Sequence, residues 1–412
     1  MSGLAPRAAA FPYEFDPGLR ARARSYERGS LVLGLVGGTA VPVALALALL
    51  ASGLSRALAD AAAGVFPASP GSADALYILA LGALASALTL PFALYGRHVR
   101  EARYGMTRRS LGGFLKDAAK SALFATAVAL ALLVPLLFLI RRFEQWWAVA
   151  ALLYATFLAF STFILPNLVL PMFYKVEPLH DSELKSSVLA AVEAAGAPPV
   201  RRIAVLGESA KSPRANAFIH GFGPSRRIVL FDTLLERFHP REVRFIVAHE
   251  AAHLAHHDVA KSLALALGLV PVKLVALSLA LPALAPAFGL QGPGDTAAVP
   301  LILLLAGLIE LADRVASSPL ARRAESRADA SALRATGDGE AAESMMKRLC
   351  DLNLLNESPN PLLEALLFSH PSPQRRILAA RAFGERQASS PSEPPLPPFP
   401  ASGTIRASSE NP

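Results

Sequence analysis

The chain has 412 residues, of which 53% are hydrophobic and only 17% charged, and its mean hydropathy is +0.40. This balance moves the chain away from an average soluble protein and makes membrane embedding the first expectation. A single cysteine, Cys350, excludes an internal disulfide and a thiolate zinc cluster, so any metal must be held by His and carboxylates.

The apolar excess is Ala and Leu rather than aromatic or β-branched residues, which predicts a mostly α protein. Six stretches reach the roughly 20 residues that a helix needs to cross the hydrocarbon. They cover 31–54, 75–95, 121–140, 146–174, 262–289 and 298–318. The first begins too late and runs too long for a cleaved signal peptide.

The net charge of +8 follows topology. Arg7, Arg20, Arg22, Arg24 and Arg28 precede the first run, and Arg97, Arg100, Arg103, Arg108, Arg109, Lys116 and Lys120 fill the link between the second and third. Under the positive-inside rule both segments are cytoplasmic, while Arg141 and Arg142 fall on the outer side as a mild exception. Trp146 and Trp147 sit where an interfacial aromatic belt is expected. No basic stripe interleaved with aromatics appears, so nucleic acid is not expected as a partner.

Three regions follow. Residues 1–174 hold four spans and a cytoplasmic loop. Residues 175–384 form a zincin-like α+β domain interrupted by the last two spans. Residues 385–412 are a Pro/Ser-rich segment expected to be disordered. Within the second region, 181–195 has helical spacing, and 202–206 and 227–231 are short β-rich runs flanking a polar link that contains Asn216 and Gly221.

The chemistry centres on His249-Glu250-Ala251-Ala252-His253, in a stretch free of helix breakers after Pro240. Residues four apart share a helix face, so both imidazoles can reach one tetrahedral zinc while Glu250 leans over the open position as general base. A hydrolytic zinc needs a third protein ligand. Downstream, Glu325 and Asp329 lie one turn apart, so Glu325 can complete the set and Asp329 can accept an N–H from a ligating imidazole. The bland readings are a His-rich helix end for the first motif and a solvated face beside Arg322, Arg323 and Arg327 for the second. Together the two motifs favour one zinc per chain. A Pro-punctuated turn, 369–377, offers His370 and Arg376 as candidate donors to a developing oxyanion, although a surface His among arginines is equally common.

These residues resemble the M48 metallopeptidases, and within them the type I CAAX prenyl proteases. The resemblance runs from about residue 97 to 377. It rests on Tyr104-Gly105-Met106, the 111–117 stretch Leu-Gly-Gly-Phe-Leu-Lys-Asp, Asn216-Ala217-Phe218, the 227–234 run, the His249 helix, Arg322-Arg323-Ala324-Glu325 with Asp329, and the His370–Arg376 turn. It implies zinc on His249, His253 and Glu325, assistance at the transition state from His370 and Arg376, and Asn216 and Ala217 beside the cleft on a strand that pairs with an extended peptide. It also implies a water-filled chamber among the spans, which would accommodate Lys273, Glu310, Asp313 and Arg314 as mutual pairing would. The family usually has Gly where Ala252 stands and an aromatic where Ser326 stands, and eukaryotic members have a further N-terminal span.

The expected function is hydrolysis of peptide bonds in membrane-associated proteins or peptides, prenylated or not, by an integral protein of a bacterial inner membrane with its catalytic domain facing the cytoplasm. Processing of CAAX C termini and general quality control are both open. A heat-shock-type M48 protease of broad specificity is one alternative. A silent scaffold or transporter is another, which stoichiometric metal would exclude.

Overall fold

The computed structural model describes residues 10–163, 165–221 and 226–389. Among the described residues six helices are long and apolar enough to cross a membrane: Pro17–Ala51, Pro70–Tyr104, Leu111–Arg142, Trp146–Phe163, Asp258–Phe288 and Thr296–Thr336. They match the six predicted runs but extend well beyond them, because the charged flanks are themselves good helix formers once outside the apolar stretch. The first begins at Pro17, where the Asp16 carboxylate accepts the Gly18 N–H at 2.8 Å. The link expected over 97–120 shrinks to 105–110, bounded by Gly105 in the left-handed region (φ 72°) and by Ser110, whose hydroxyl accepts the Gly113 N–H. The fourth predicted run becomes Trp146–Phe163 and Leu165–Phe173. The first two spans approach closely: a Cβ on Gly37 would lie 2.7 Å from that of Phe92, so only a residue without one fits.

Several charges within and beside the spans are paired. Arg141, the exception to the charge rule, forks onto the buried Asp74 carboxylate at 2.6 and 2.8 Å and donates to Gly294 O and Thr296 Oγ1. Its charge is thereby neutralised, so it carries little topological signal. Lys273 in the fifth span bridges Glu310 at 2.9 Å and Asp313 at 2.5 Å in the sixth, which is the mutual pairing anticipated.

The domain between and after these spans is built on a four-stranded sheet of order β1-β2-β4-β3, with β1 Val176–Pro178, β2 Arg202–Leu206, β3 Ala217–His220 and β4 Arg227–Phe231. β2 and β4 occupy their predicted bounds and pair in parallel, Arg202 opposite Arg227. Ile228, Val229 and Leu230 of β4 are all fully buried because both faces are covered. Ile203, Ala217, Ile228 and Leu230 face a core shared with helices Ser182–Ala194 and Pro240–Ala255, whereas Ala204, Leu206 and Val229 face Leu170 and Tyr174 at the end of the fourth apolar stretch. The polar link contains β3, an edge strand antiparallel to β4, where the resemblance implied a strand beside Asn216.

The sixth span does not stop where its apolar run ends. It continues as one helix, Val299–Thr336, of 38 residues, and ends at Gly337 in the left-handed region (φ 61°). Helix Gly339–Asn353 follows, capped by Asp338, and then Pro373–Ser389. The latter carries helix five residues into the segment expected to be disordered, held by Ala380 in the core and by Arg381 on Glu343 at 2.6 Å. The remainder of that segment, 390–412, lies outside the described residues.

Candidate metal centre

Helix Pro240–Ala255 starts with Pro at its first position and a capping box, in which His239 Nδ1 accepts the Arg241 N–H and Glu242 accepts the His239 N–H at 2.8 Å. Val243, Phe245, Val247, Ala248, Ala251 and Ala252 fix its rotation by burial in the core. His249 and His253 therefore project together, rings edge to face, with their Nε2 atoms 3.2 Å apart. The long sixth helix packs alongside and brings Glu325 to them, Oε2 at 3.3 Å from His249 Nε2 and Oε1 at 3.4 Å from His253 Nε2. The three residues offer ligand atoms all within 4.8 Å of one another, the grouping that a single ion requires.

The donors fit a cation. Each ring turns its Nδ1 toward a carboxylate, His249 toward Asp329 at 2.9 Å, close in distance but off line in angle, and His253 toward Asp258 at 2.9 Å. A proton on each Nδ1 leaves two Nε2 lone pairs facing each other, an arrangement that is repulsive without a positive charge between them. Glu325 Oε2 is buried with no hydrogen-bond partner, an orphaned acceptor aimed at the same place. Without metal a proton takes over part of that role: burial disfavours the His249 cation, but Asp329 and Glu325 outweigh it and push the imidazole up to about 9. Two imidazole nitrogens and a carboxylate suit zinc.

Each ligating ring is backed by a carboxylate and then an arginine. Behind His249, Asp329 is held by Arg376 through Nε at 2.8 Å and Nη2 at 2.7 Å. Behind His253, Asp258 is held by Arg327. Asp258 went unnoticed in the sequence, although an Asp five residues after the second His, just past the helix end, was the available signal. His257 adopts φ 56°, and this left-handed step turns the chain so that Asp258, first residue of the fifth span, faces back to the ring.

Arg376 donates from Nε and Nη2 to Asp329, the carboxylate behind His249. Glu250 is half-buried beside the pair of imidazoles, and burial raises its pKa against the pull of His249 and His253. His370 Nε2 lies 3.3 Å from Glu325 Oε1, and its side chain is exposed. Arg322 holds its turn by donating to Glu364 O and Phe368 O, while the buried Glu364 carboxylate accepts the Ser372 N–H at 3.1 Å. Asn216 is exposed immediately before β3, and Ala217 is buried in that strand. The Asn353 carboxamide accepts from Ala215 N and donates to Ala215 O, both at 3.1 Å, a two-point hold on the entry to β3 that the sequence reading missed.

Residues 178–383 match peptidase family M48, and residues 7–175 match the family described as CAAX prenyl protease N-terminal, five membrane helices. Among the described residues that stretch carries four helices of spanning length. The chain is 30% identical over 308 residues to the uncharacterized metalloprotease YhfN of Bacillus subtilis, covering 73% of this chain and 71% of that one. CAAX prenyl protease 1 of Saccharomyces cerevisiae is 32% identical over 177 residues, which is 42% of this chain and 38% of the yeast protein. The human homolog matches at 32% over 167 residues, 35% of its length, so the alignments span little more than a third of these relatives. The fold is that of S. mikatae Ste24p, whose crystal structure superposes with a TM-score of 0.79 over 91% of both chains at 21% identity. This chain belongs to peptidase family M48, as a membrane zinc metalloprotease related to the CAAX prenyl proteases and YhfN.

Proposed function

We propose that this protein is an endopeptidase that binds one zinc ion on His249, His253 and Glu325 and cleaves membrane-associated proteins or peptides on the cytoplasmic side of a bacterial inner membrane. The observation that carries the reading is the meeting of two facing imidazole Nε2 atoms with an orphaned carboxylate oxygen. An ion held there supplies Lewis acidity to the scissile carbonyl and lowers the pKa of the attacking water. Glu250, its pKa raised by burial, takes the proton from that water and returns it to the leaving amine. His370, beside Glu325, donates to the oxygen on which charge develops. Arg376 acts one step back, fixing Asp329 and through it the His249 ring. The outer edge of β3, beginning at Asn216 and Ala217, offers main-chain groups to an extended peptide, which makes recognition tolerant of sequence.

CAAX-type processing is the finer reading, and the relatives named CAAX prenyl protease 1 support it. The test is metal analysis of purified protein together with cleavage of a matched peptide pair, with and without a prenyl group, using Glu250→Gln as the blank. Stoichiometric zinc with cleavage of the prenylated peptide alone supports CAAX-type processing, and equal cleavage of both peptides supports quality control. Turnover that survives Glu250→Gln removes the mechanism altogether.

A further inference from the structure

The segment ahead of the first span contributes nothing to the predicted chemistry, yet residues 10–16 lie against the framework of the metal-binding helix. We propose that this N-terminal strap is a positioning element for helix Pro240–Ala255, and that Ser344 transmits its hold. The inference rests on the metal-centre reading above.

The connection is a continuous run of polar contacts. The Tyr13 backbone N–H donates to Ser344 Oγ at 2.7 Å, and the Ser344 hydroxyl donates to Glu242 Oε1 at 2.5 Å. The other Glu242 oxygen accepts the His239 N–H, which closes the capping box, and Arg348 Nε, each at 2.8 Å. Arg348 reaches back to the strap by donating to Ala10 O, and its guanidinium lies over the Tyr13 ring. Phe11 stacks on His239 with ring centroids 4.7 Å apart, and the Arg241 guanidinium lies over the Phe11 ring at 4.2 Å while forking onto Asp338 at 2.7 and 2.8 Å. Asp338 caps the element that follows the Glu325 helix. The strap therefore touches the start of the helix bearing both imidazoles and, through Arg241, the end of the helix bearing the carboxylate.

Glu242 is fully buried, so no water replaces a donor that it loses. It lies two helical turns before His249, about 10 Å along the axis, and a close-packed helix carries a change of tilt or rotation over that distance with little damping. The strap is in turn fixed on helix Gly339–Asn353: the Asp16 N–H and Tyr13 hydroxyl both donate to Asp351 at 2.9 and 2.8 Å, Lys347 holds Glu14 at 2.6 Å, and Arg20 of the first span pairs with the same Asp351 carboxylate. No such network is needed merely to cap a helix, for which one side chain suffices.

The test compares wild-type protein, a deletion of residues 1–13 and Ser344→Ala, each purified in detergent and loaded with Co2+ in place of zinc. The visible cobalt band, the cobalt dissociation constant, and kcat and KM on a peptide cleaved by wild-type protein are measured. Both variants are expected to shift the band, weaken cobalt binding about tenfold, and lower kcat about tenfold with KM within about twofold. A synthetic peptide of residues 1–16 is expected to restore the deletion in part and Ser344→Ala not at all. If the deletion fails to fold, Ser344→Ala decides on the same readouts. An unchanged band and affinity in the folded fraction, even with a lower melting temperature, overturns the proposal. Wild-type protein that takes up no cobalt overturns the metal-centre reading and the proposal with it.

Discussion

Replacing Asp258 with Ala separates ligand positioning from stability. Asp258 Oδ2 lies 2.9 Å from His253 Nδ1 and is the group that orients that ring and raises its basicity. Loss of such a partner lowers metal affinity about 10- to 100-fold, or roughly 1.4–2.7 kcal/mol. The fold should hardly notice, because the Arg327 side chain that pairs with Asp258 is 43% exposed and can turn to water. Asp329→Ala is different: it strands Arg376, only 14% exposed, and an unpaired buried charge costs about 3–5 kcal/mol of stability on top of the lost affinity. Asp258→Asn keeps an acceptor for the ring N–H without the charge and falls between wild type and Ala. Chelator competition gives the affinities and thermal melts in detergent give the stabilities. Zinc affinity of Asp258→Ala within twofold of wild type would show that the carboxylate behind His253 is decoration and refute the reasoning.

Zinc uptake should release a proton from His249. Its metal-free imidazole is raised above the unfolded value of 6.5 to about 9, so the stabilisation it gives the metal-free protein is complete below pH 6.5 and lost as pH rises through about 9. Apparent zinc affinity accordingly climbs by up to about tenfold per pH unit across that window, measurable by competition titrations at several pH values. Glu242→Ala leaves Arg348 buried without its carboxylate and is expected to cost about 3–5 kcal/mol in denaturant unfolding. Asn353→Ala removes both hydrogen bonds to Ala215 and loosens the entry to β3; KM should rise about 5- to 30-fold with kcat little changed in steady-state kinetics. Cys350 is fully buried and burial pushes its thiol up to about 12, so an alkylating reagent should label it only after unfolding, as mass spectrometry would show.

The ligand triad was legible in the sequence because helical periodicity is a local rule: His249 and His253 are one turn apart, and so are Glu325 and Asp329. β2 and β4 were equally legible, since their Ile, Val and Leu runs meet no competing pattern. Sequence spacing is silent about partners that the fold brings from far away. Asp258 depends on a left-handed residue at His257, and Asn353 grips Ala215 across 138 positions. Arg376 was assigned by its proximity to His370 in the chain, and the carboxylate it binds lies 47 residues upstream. Helix ends were misplaced for a different reason: hydropathy marks where hydrocarbon stops, whereas Asp16, Ser110 and Gly337 mark where the backbone hydrogen bonding stops.

Between His253 and Glu325 the chain runs through one helix of membrane-spanning length, Asp258–Phe288, and most of a second, Thr296–Thr336, which carries Glu325 near its end. The ion cradle therefore cannot be excised as a soluble module by trimming hydrophobic sequence, because that sequence is the tether joining its two halves. During biosynthesis both imidazoles leave the ribosome before the carboxylate, and they stay without it until the returning helix has threaded the lipid. A nascent copy that has not inserted has no means of cutting its neighbours.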